Sequence, residues 1–127
     1  MRSVFLIIGL VLAACTPKEP VEIGASCSAT EKIEACAVGK VALCVGGKWQ
    51  ETVSCPQGCT RKTIGHGSTA AVCGDTFARV GNVCSTWKSR ICSEDRNAQL
   101  VCEGGRWKME KACSTSCTYS NTGIACP

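Results

Sequence analysis

Hydrophobic positions fall into two patterns along this chain. The first is an unbroken apolar stretch of 11 residues, Val4 to Ala14, behind a basic Met1-Arg2-Ser3 start. Spanning a bilayer needs about 20 such residues, so residues 1–14 read as a cleaved secretory signal. The second pattern is a pair of short apolar runs that end on Gly-Gly, at Gly46-Gly47 and Gly104-Gly105. Glycine tolerates the positive φ that a type I′ turn demands at both of its central positions. Residues 41–45 and 48–53 are therefore expected to form one β-hairpin, and 99–103 and 106–111 another. A two-residue turn places Val45 opposite Lys48, Cys44 opposite Trp49 and Ala42 opposite Glu51. In the second hairpin it places Glu103 opposite Arg106, Cys102 opposite Trp107 and Gln99 opposite Glu110. Each of the two tryptophans should then lie against a cysteine across the ladder.

The apolar stretch stops at Leu12-Ala13-Ala14-Cys15, which resembles the lipobox of bacterial lipoproteins. The resemblance implies a diacylglycerol on the Cys15 sulfur, cleavage before Cys15, and acylation (often palmitate) of the new amine. With about 0.8 kcal/mol per buried methylene, two or three acyl chains hold a protein durably on a membrane. The expected partner is a membrane reached through a lipid anchor, and Thr16 after the acylated position implies the outer membrane. Residues 15–22 hold Pro17 and Pro20 and read as an extended tether, roughly 20 Å long at about 3.1 Å per residue.

Beyond the tether the chain repeats itself. Cysteines stand at 27, 36, 44, 55, 59 and 73, then again at 84, 92, 102, 113, 117 and 126. The stretch Cys44-Val45-Gly46-Gly47-Lys48-Trp49 matches Cys102-Glu103-Gly104-Gly105-Arg106-Trp107, and Cys59-Thr60 matches Cys117-Thr118. This predicts two tandem modules, 23–75 and 79–127, in a small, disulfide-rich, mainly β protein. A module of about 50 residues has too little core to offset its chain entropy, and three disulfides at about 2–4 kcal/mol each would make up the difference. Fifteen pairings of six cysteines remain open. Pro56 suits the first position of a helical turn over 55–59, where Cys55 and Cys59 would sit slightly too far apart to bridge each other. They are expected to bond to different partners, as are Cys113 and Cys117.

With 13 cysteines, the chain holds one histidine, His66, in a glycine-rich loop. A structural zinc site wants thiolates, which export oxidises, so neither a metal nor another cofactor is expected. One histidine with no nucleophile elbow gives no hydrolytic triad, and Glu31, Glu34, Glu51, Glu103 and Glu110 read as solvated carboxylates rather than a catalytic pair. An enzyme is not expected. The mature chain carries 13 basic and 10 acidic residues, with the excess in the second module. A surplus of three among interspersed acids reads as a solvated surface, and nucleic acid is not an expected partner.

Binding remains, and aromatic side chains are its best markers. Trp49 and Trp107 recur at one position, where packing on a cystine is preferred to a sugar-stacking platform. Trp87 has no counterpart in the first copy, which carries Thr30 there, and Lys88 and Arg90 flank it. These five residues are the candidate ligand contacts, with Trp87 first.

The stretch Cys44 to Asp75, with its Cys-x-Gly-Gly-Lys-Trp, Cys55-Pro56-Gln57-Gly58 and Val72-Cys73-Gly74-Asp75 elements, partly resembles peritrophin-type chitin-binding modules. Cys59 has no counterpart in those, and Ser114-Thr115-Ser116 replaces Pro-x-Gly in the second copy. The repeats are more similar to cysteine-rich repeats of exported bacterial proteins, a resemblance that implies a fold type and no activity. The expected function is a non-catalytic binding or structural role in the cell envelope. Binding of a glycan such as chitin or peptidoglycan is the first alternative, and protease inhibition through an Arg61-Lys62 loop the second.

Overall fold

A computed structural model describes residues 19–28, 34–63 and 69–127. The signal segment 1–14, Cys15, the start of the tether, Thr30, Glu31 and His66 lie outside the described residues. Within them the chain forms eleven strands and no helix: β1 (Glu34–Ala37), β2 (Lys40–Val45), β3 (Lys48–Ser54), β4 (Thr60–Thr63), β5 (Thr69–Val72), β6 (Phe77–Ala78), β7 (Arg90–Ser93), β8 (Ala98–Glu103), β9 (Arg106–Ala112), β10 (Thr118–Ser120) and β11 (Gly123–Ala125).

The glycine pairs turn β2 into β3 and β8 into β9, at φ 61° and 77° for Gly46 and Gly47 and 61° and 74° for Gly104 and Gly105. Cys44 opposes Trp49 and Cys102 opposes Trp107, as the turn length requires. Cys27 and Cys44 pack against the buried cluster that holds Trp49, and Trp107 shares its cluster with Cys84 and Cys102. These pairs are themselves bridged, so each indole lies on a cystine.

Two expectations are corrected. Gln99 opposes Lys111 rather than Glu110, because the register shifts between Gln99 and Leu100. The same shift falls between Val41 and Ala42. Thr52 and Glu110, at matching positions of the two copies, are thus extra residues in β-bulges, which turn length alone does not reveal. Residues 55–58 also form a β-turn rather than a turn of helix. The Gly58 amide donates to the Cys55 carbonyl (2.9 Å), and φ of 88° at Gly58 takes the chain out of helical geometry.

The cystines follow one scheme in both copies. First joins third (Cys27–Cys44, Cys84–Cys102), second joins fifth (Cys36–Cys59, Cys92–Cys117), and fourth joins sixth (Cys55–Cys73, Cys113–Cys126). The cysteines of each Cys-x3-Cys pair therefore go to different partners.

Each copy begins earlier than the cysteine spacing suggests. Val21 is buried and its amide donates to the Cys36 carbonyl (2.9 Å), so the end of the tether belongs to the first module. The equivalent residues of the second copy, Phe77 and Ala78, form β6. This strand pairs antiparallel with β3 through Ser54–Phe77 and parallel with β7 through Phe77–Cys92 and Ala78–Ser93. The result is one seven-stranded sheet in the order β1-β2-β3-β6-β7-β8-β9, flanked by the small hairpins β4-β5 and β10-β11.

Phe77 is held from several sides. Its ring lies 5.7 Å from that of Tyr119 and 4.6 Å from the Arg96 guanidinium carbon, over the Cys92–Cys117 cystine. The Tyr119 hydroxyl accepts the Cys92 amide (2.9 Å) and donates to the Thr76 carbonyl. Burial pushes its pKa above the ordinary tyrosine value. Replacing Tyr119 by Phe strands two backbone groups at the junction and should cost about 1–3 kcal/mol. Urea denaturation of the oxidised protein measures this, and an unchanged midpoint would show that water replaces the hydroxyl.

Candidate functional site

The two modules meet in a cleft of about 210 Å³, lined by Glu34, Thr52, Thr76, Ser85, Thr86 and Ser89 together with Val41, Val53, Ala71, Cys73 and Trp107. Residues far apart in sequence converge there because β6 draws the copies together. The bulge at Thr52 leaves its carbonyl outside the β2–β3 ladder, and this oxygen accepts the Trp107 indole N–H at 3.0 Å. Ser85 Oγ donates to Glu34 Oε1 at 3.2 Å, a second contact across the module boundary. Five hydroxyls, one carboxylate and a few apolar side chains make a wall that favours a small polyhydroxylated group over a flat apolar one.

Trp87 rises from the turn that supplies Thr86 and Ser89 to this wall. Its side chain is 74% exposed, whereas Trp49 and Trp107 are 7% and 6% exposed. The platform role considered for those two is therefore not available: their faces are spent on cystines. The Trp87 turn is rigidly tied. Ser89 bonds the Thr86 carbonyl through both its amide (3.1 Å) and its hydroxyl (2.7 Å), Lys88 N donates to Cys102 O, and Cys102 N donates to Ser89 O, both at 2.9 Å. Lys88 takes φ 64°, a left-handed conformation that costs a non-glycine residue about 1–2 kcal/mol. Strain held by four hydrogen bonds keeps a large indole in water.

The charged neighbours of Trp87 are largely neutralised. Lys88 Nζ lies 5.3 Å from the Trp87 ring centre and pairs with Glu103, whose pKa its hydrogen bond lowers. Arg90 Nε reaches both oxygens of Glu110 (3.0 and 2.9 Å) and holds that carboxyl below its usual range. Arg79 does the same for Glu94. Arg79, Lys88 and Arg90 are each paired with an acid, so they form no free cationic stripe beside Trp87.

Arg61 is not on a loop. It sits in β4, opposite Ala71 of β5, and its guanidinium donates to Glu19, to the Glu34 carbonyl (2.9 Å) and to Thr69 Oγ1 (3.2 Å). It stands where Tyr119 stands in the second copy, and both positions serve the amide of the second cysteine. Cys36 N donates to Glu19 Oε1 at 3.0 Å, and Arg61 holds that carboxylate in place. Sulfurs of Cys55, Cys59 and Cys73 lie within 4.8 Å of one another, but they belong to two cystines and offer no thiolate to a metal.

Sequence reasoning named Trp87, Lys88 and Arg90 but missed the hydroxyl wall, whose members are ordinary serines and threonines until the modules pack. The available signal was Phe77-Ala78, an apolar pair where a solvated linker would be polar. No protein-family model, curated protein or solved structure matches this chain.

The Arg61 hydrogen bond lowers the Glu19 pKa from 4.5, opposed by partial burial. A depressed folded-state pKa adds stability above the ordinary carboxylate range, and that stability is lost as pH falls through the lowered value. Glu19→Gln should therefore cost about 1–2 kcal/mol near neutral pH, the side chain being partly exposed. The difference from wild type should shrink below about pH 4. Thermal melts across pH 2–7 check this, and a gap that does not vary with pH would remove the ion pair from the account.

Proposed function

We propose that this chain is an exported lipoprotein, anchored through Cys15 to the outer membrane, whose oxidised two-module body binds without catalysing. The supporting observation is the cysteine count. Twelve of the 13 cysteines are consumed in six cystines of one repeated scheme, which leaves Cys15 with no partner in its own chain. A thioether to lipid uses that sulfur, and export supplies the oxidising setting the cystines need. Labelled palmitate should enter the wild-type chain and not Cys15→Ser, and the variant should move to the soluble fraction. A soluble wild-type product that retains residues 1–14 would overturn the proposal.

Within this reading, a glycan is the ligand the surface favours. Sugar rings are held by an aromatic face and by hydroxyl and carboxylate groups, and the Trp87 turn places both kinds of group side by side. Protease inhibition is less favoured, because Arg61 is tied into a strand and an ion pair. Titration with chitin oligomers or peptidoglycan fragments should shift the tryptophan emission. Trp87 is the most exposed indole, whereas Trp107 lines the cleft but is buried, so the Trp87→Ala variant separates their contributions. The response should disappear in Trp87→Ala and weaken several-fold in Glu34→Gln. Emission unmoved by either glycan would remove this reading and leave the anchor untouched.

A further inference from the structure

The internal junction is a template for a second one. Four contacts build it: Ser54 of β3 pairs with Phe77, Val53 packs into the core of the second module, Trp107 donates to the Thr52 carbonyl, and Ser85 donates to Glu34; beside them lie two ion pairs, one in each module. These pairs are Lys40–Glu51 (3.6 Å) and Arg79–Glu94, near enough that Glu51 acts on Arg79 and Lys40 on Glu94. Repetition places a counterpart of every one of these residues on the two outward faces of the molecule. On β8 and β9, Ala98, Met109, Glu110, Lys111 and Ala112 stand where the first copy has Lys40, Glu51, Thr52, Val53 and Ser54. On the first module, Pro20, Glu22, Val38 and Trp49 stand where the second has Phe77, Arg79, Glu94 and Trp107.

The chemistry changes on both faces together. Where the internal junction brings Lys40 and Glu51 near Arg79 and Glu94, the outward faces carry Ala98 and Met109 on one side and Val38 with Glu22 on the other, so one charged side chain remains of four. Val38 is 81% exposed and Met109 56% exposed, two of the few large hydrophobic side chains in water. Met109 borders an open groove of about 470 Å³, whose apolar side is Ala78, Val80, Ala98 and Leu100 and whose polar side is Arg79, Ser93, Glu94 and Asp95. A single exposed valine or methionine needs no explanation. Here the two occupy positions that the module repeat would bring together, with an apolar residue replacing an ionic one on each side.

We infer that the β9 face of one copy receives the first-module face of a second copy, repeating the internal junction head to tail, with Met109 and Ala98 against Val38. Only the backbone carbonyl of Thr52 takes part in the internal contact, so Glu110 can serve in its place for Trp49. Three features make this junction weaker than the internal one. Glu22 brings an acid towards Met109 where the internal junction sets Arg79 near Glu51, and its carboxylate must stay in water. Pro20 has no N–H to give where Phe77 has one, and Lys111 must lay its stem where Val53 packs and keep its ammonium in water. The association is reversible, and its two surfaces differ, so each copy added leaves one face of each kind for the next.

Sedimentation velocity on the oxidised protein carrying Cys15→Ser, so that no lipid drives association, tests this independently of the anchor. The average mass should rise between micromolar and millimolar protein. Val38→Lys and Met109→Lys should each be monomeric, and both positions are exposed enough to leave folding intact. Mixing the two variants should give a dimer and nothing larger, because one retains a working β9 face and the other a working first-module face. Lys111→Val should associate more strongly than the parent. A parent that stays monomeric throughout, or one that associates while the mixed variants do not form a dimer, overturns the inference.

Discussion

Cystines stand at the centre of each small hydrophobic core in this molecule. The largest side chains with almost no exposure are Leu100, Cys55, Cys92, Cys102 and Cys117, so all but one belong to cystines. Each module is too small to bury enough apolar surface against its chain entropy, and loops closed by cystines at separations of 13 to 25 residues restrict the unfolded chain instead. The remaining contacts are arranged around these bridges. Trp49 and Trp107 lie on the first-to-third cystines, and Phe77 and Tyr119 gather on the Cys92–Cys117 cystine. A reducing environment would remove the scaffold and the core together.

A rigid body of this kind allows its few surface features to be held at some cost. Lys88 is kept in a left-handed conformation and Trp87 in water because β8 fixes the turn through its Cys102 amide and carbonyl. The cleft beside it exists because β6 bonds both modules. Without that strand, Glu34 and Ser85 would have no reason to meet. Its polar lining is thus a consequence of the junction, which the cystines within each module do not by themselves create.

The two copies share backbone contacts closely and differ in the side chains that serve them. Glu19 with Arg61 in one copy, and Tyr119 in the other, cap the amide of the second cysteine. The first solution is an ion pair sensitive to acid, and the second is a neutral hydroxyl buried against an aromatic ring. Where the copies touch, an indole meets a carbonyl and each module sets an ion pair beside the boundary. Where the same positions face outward, Ala98, Met109 and Val38 replace three of the four charged side chains. These differences follow the position of each copy in the sheet, since only one copy has a neighbour on each side of a given face.

The amino-acid sequence alone determined what depends on short spacing. A Gly-Gly dipeptide suits a type I′ turn, so the hairpins and the Cys44–Trp49 and Cys102–Trp107 pairs were legible. The separate partners of each Cys-x3-Cys pair were expected from a helical turn, and in the structure they accompany a β-turn at 55–58 instead. The repeat, the oxidised character and the odd Cys15 were legible from counting. Tertiary structure alone decided the rest: which of fifteen pairings the cystines adopt, where the bulges at Thr52 and Glu110 fall, and that Phe77-Ala78 is a shared strand and not a linker. The hydroxyl wall of Glu34, Thr52, Thr76 and Ser85 belongs to the same group. The physical reason is range: a turn acts on residues a few positions apart, whereas a bulge, a bridge or a module junction is set by which distant surfaces fit together.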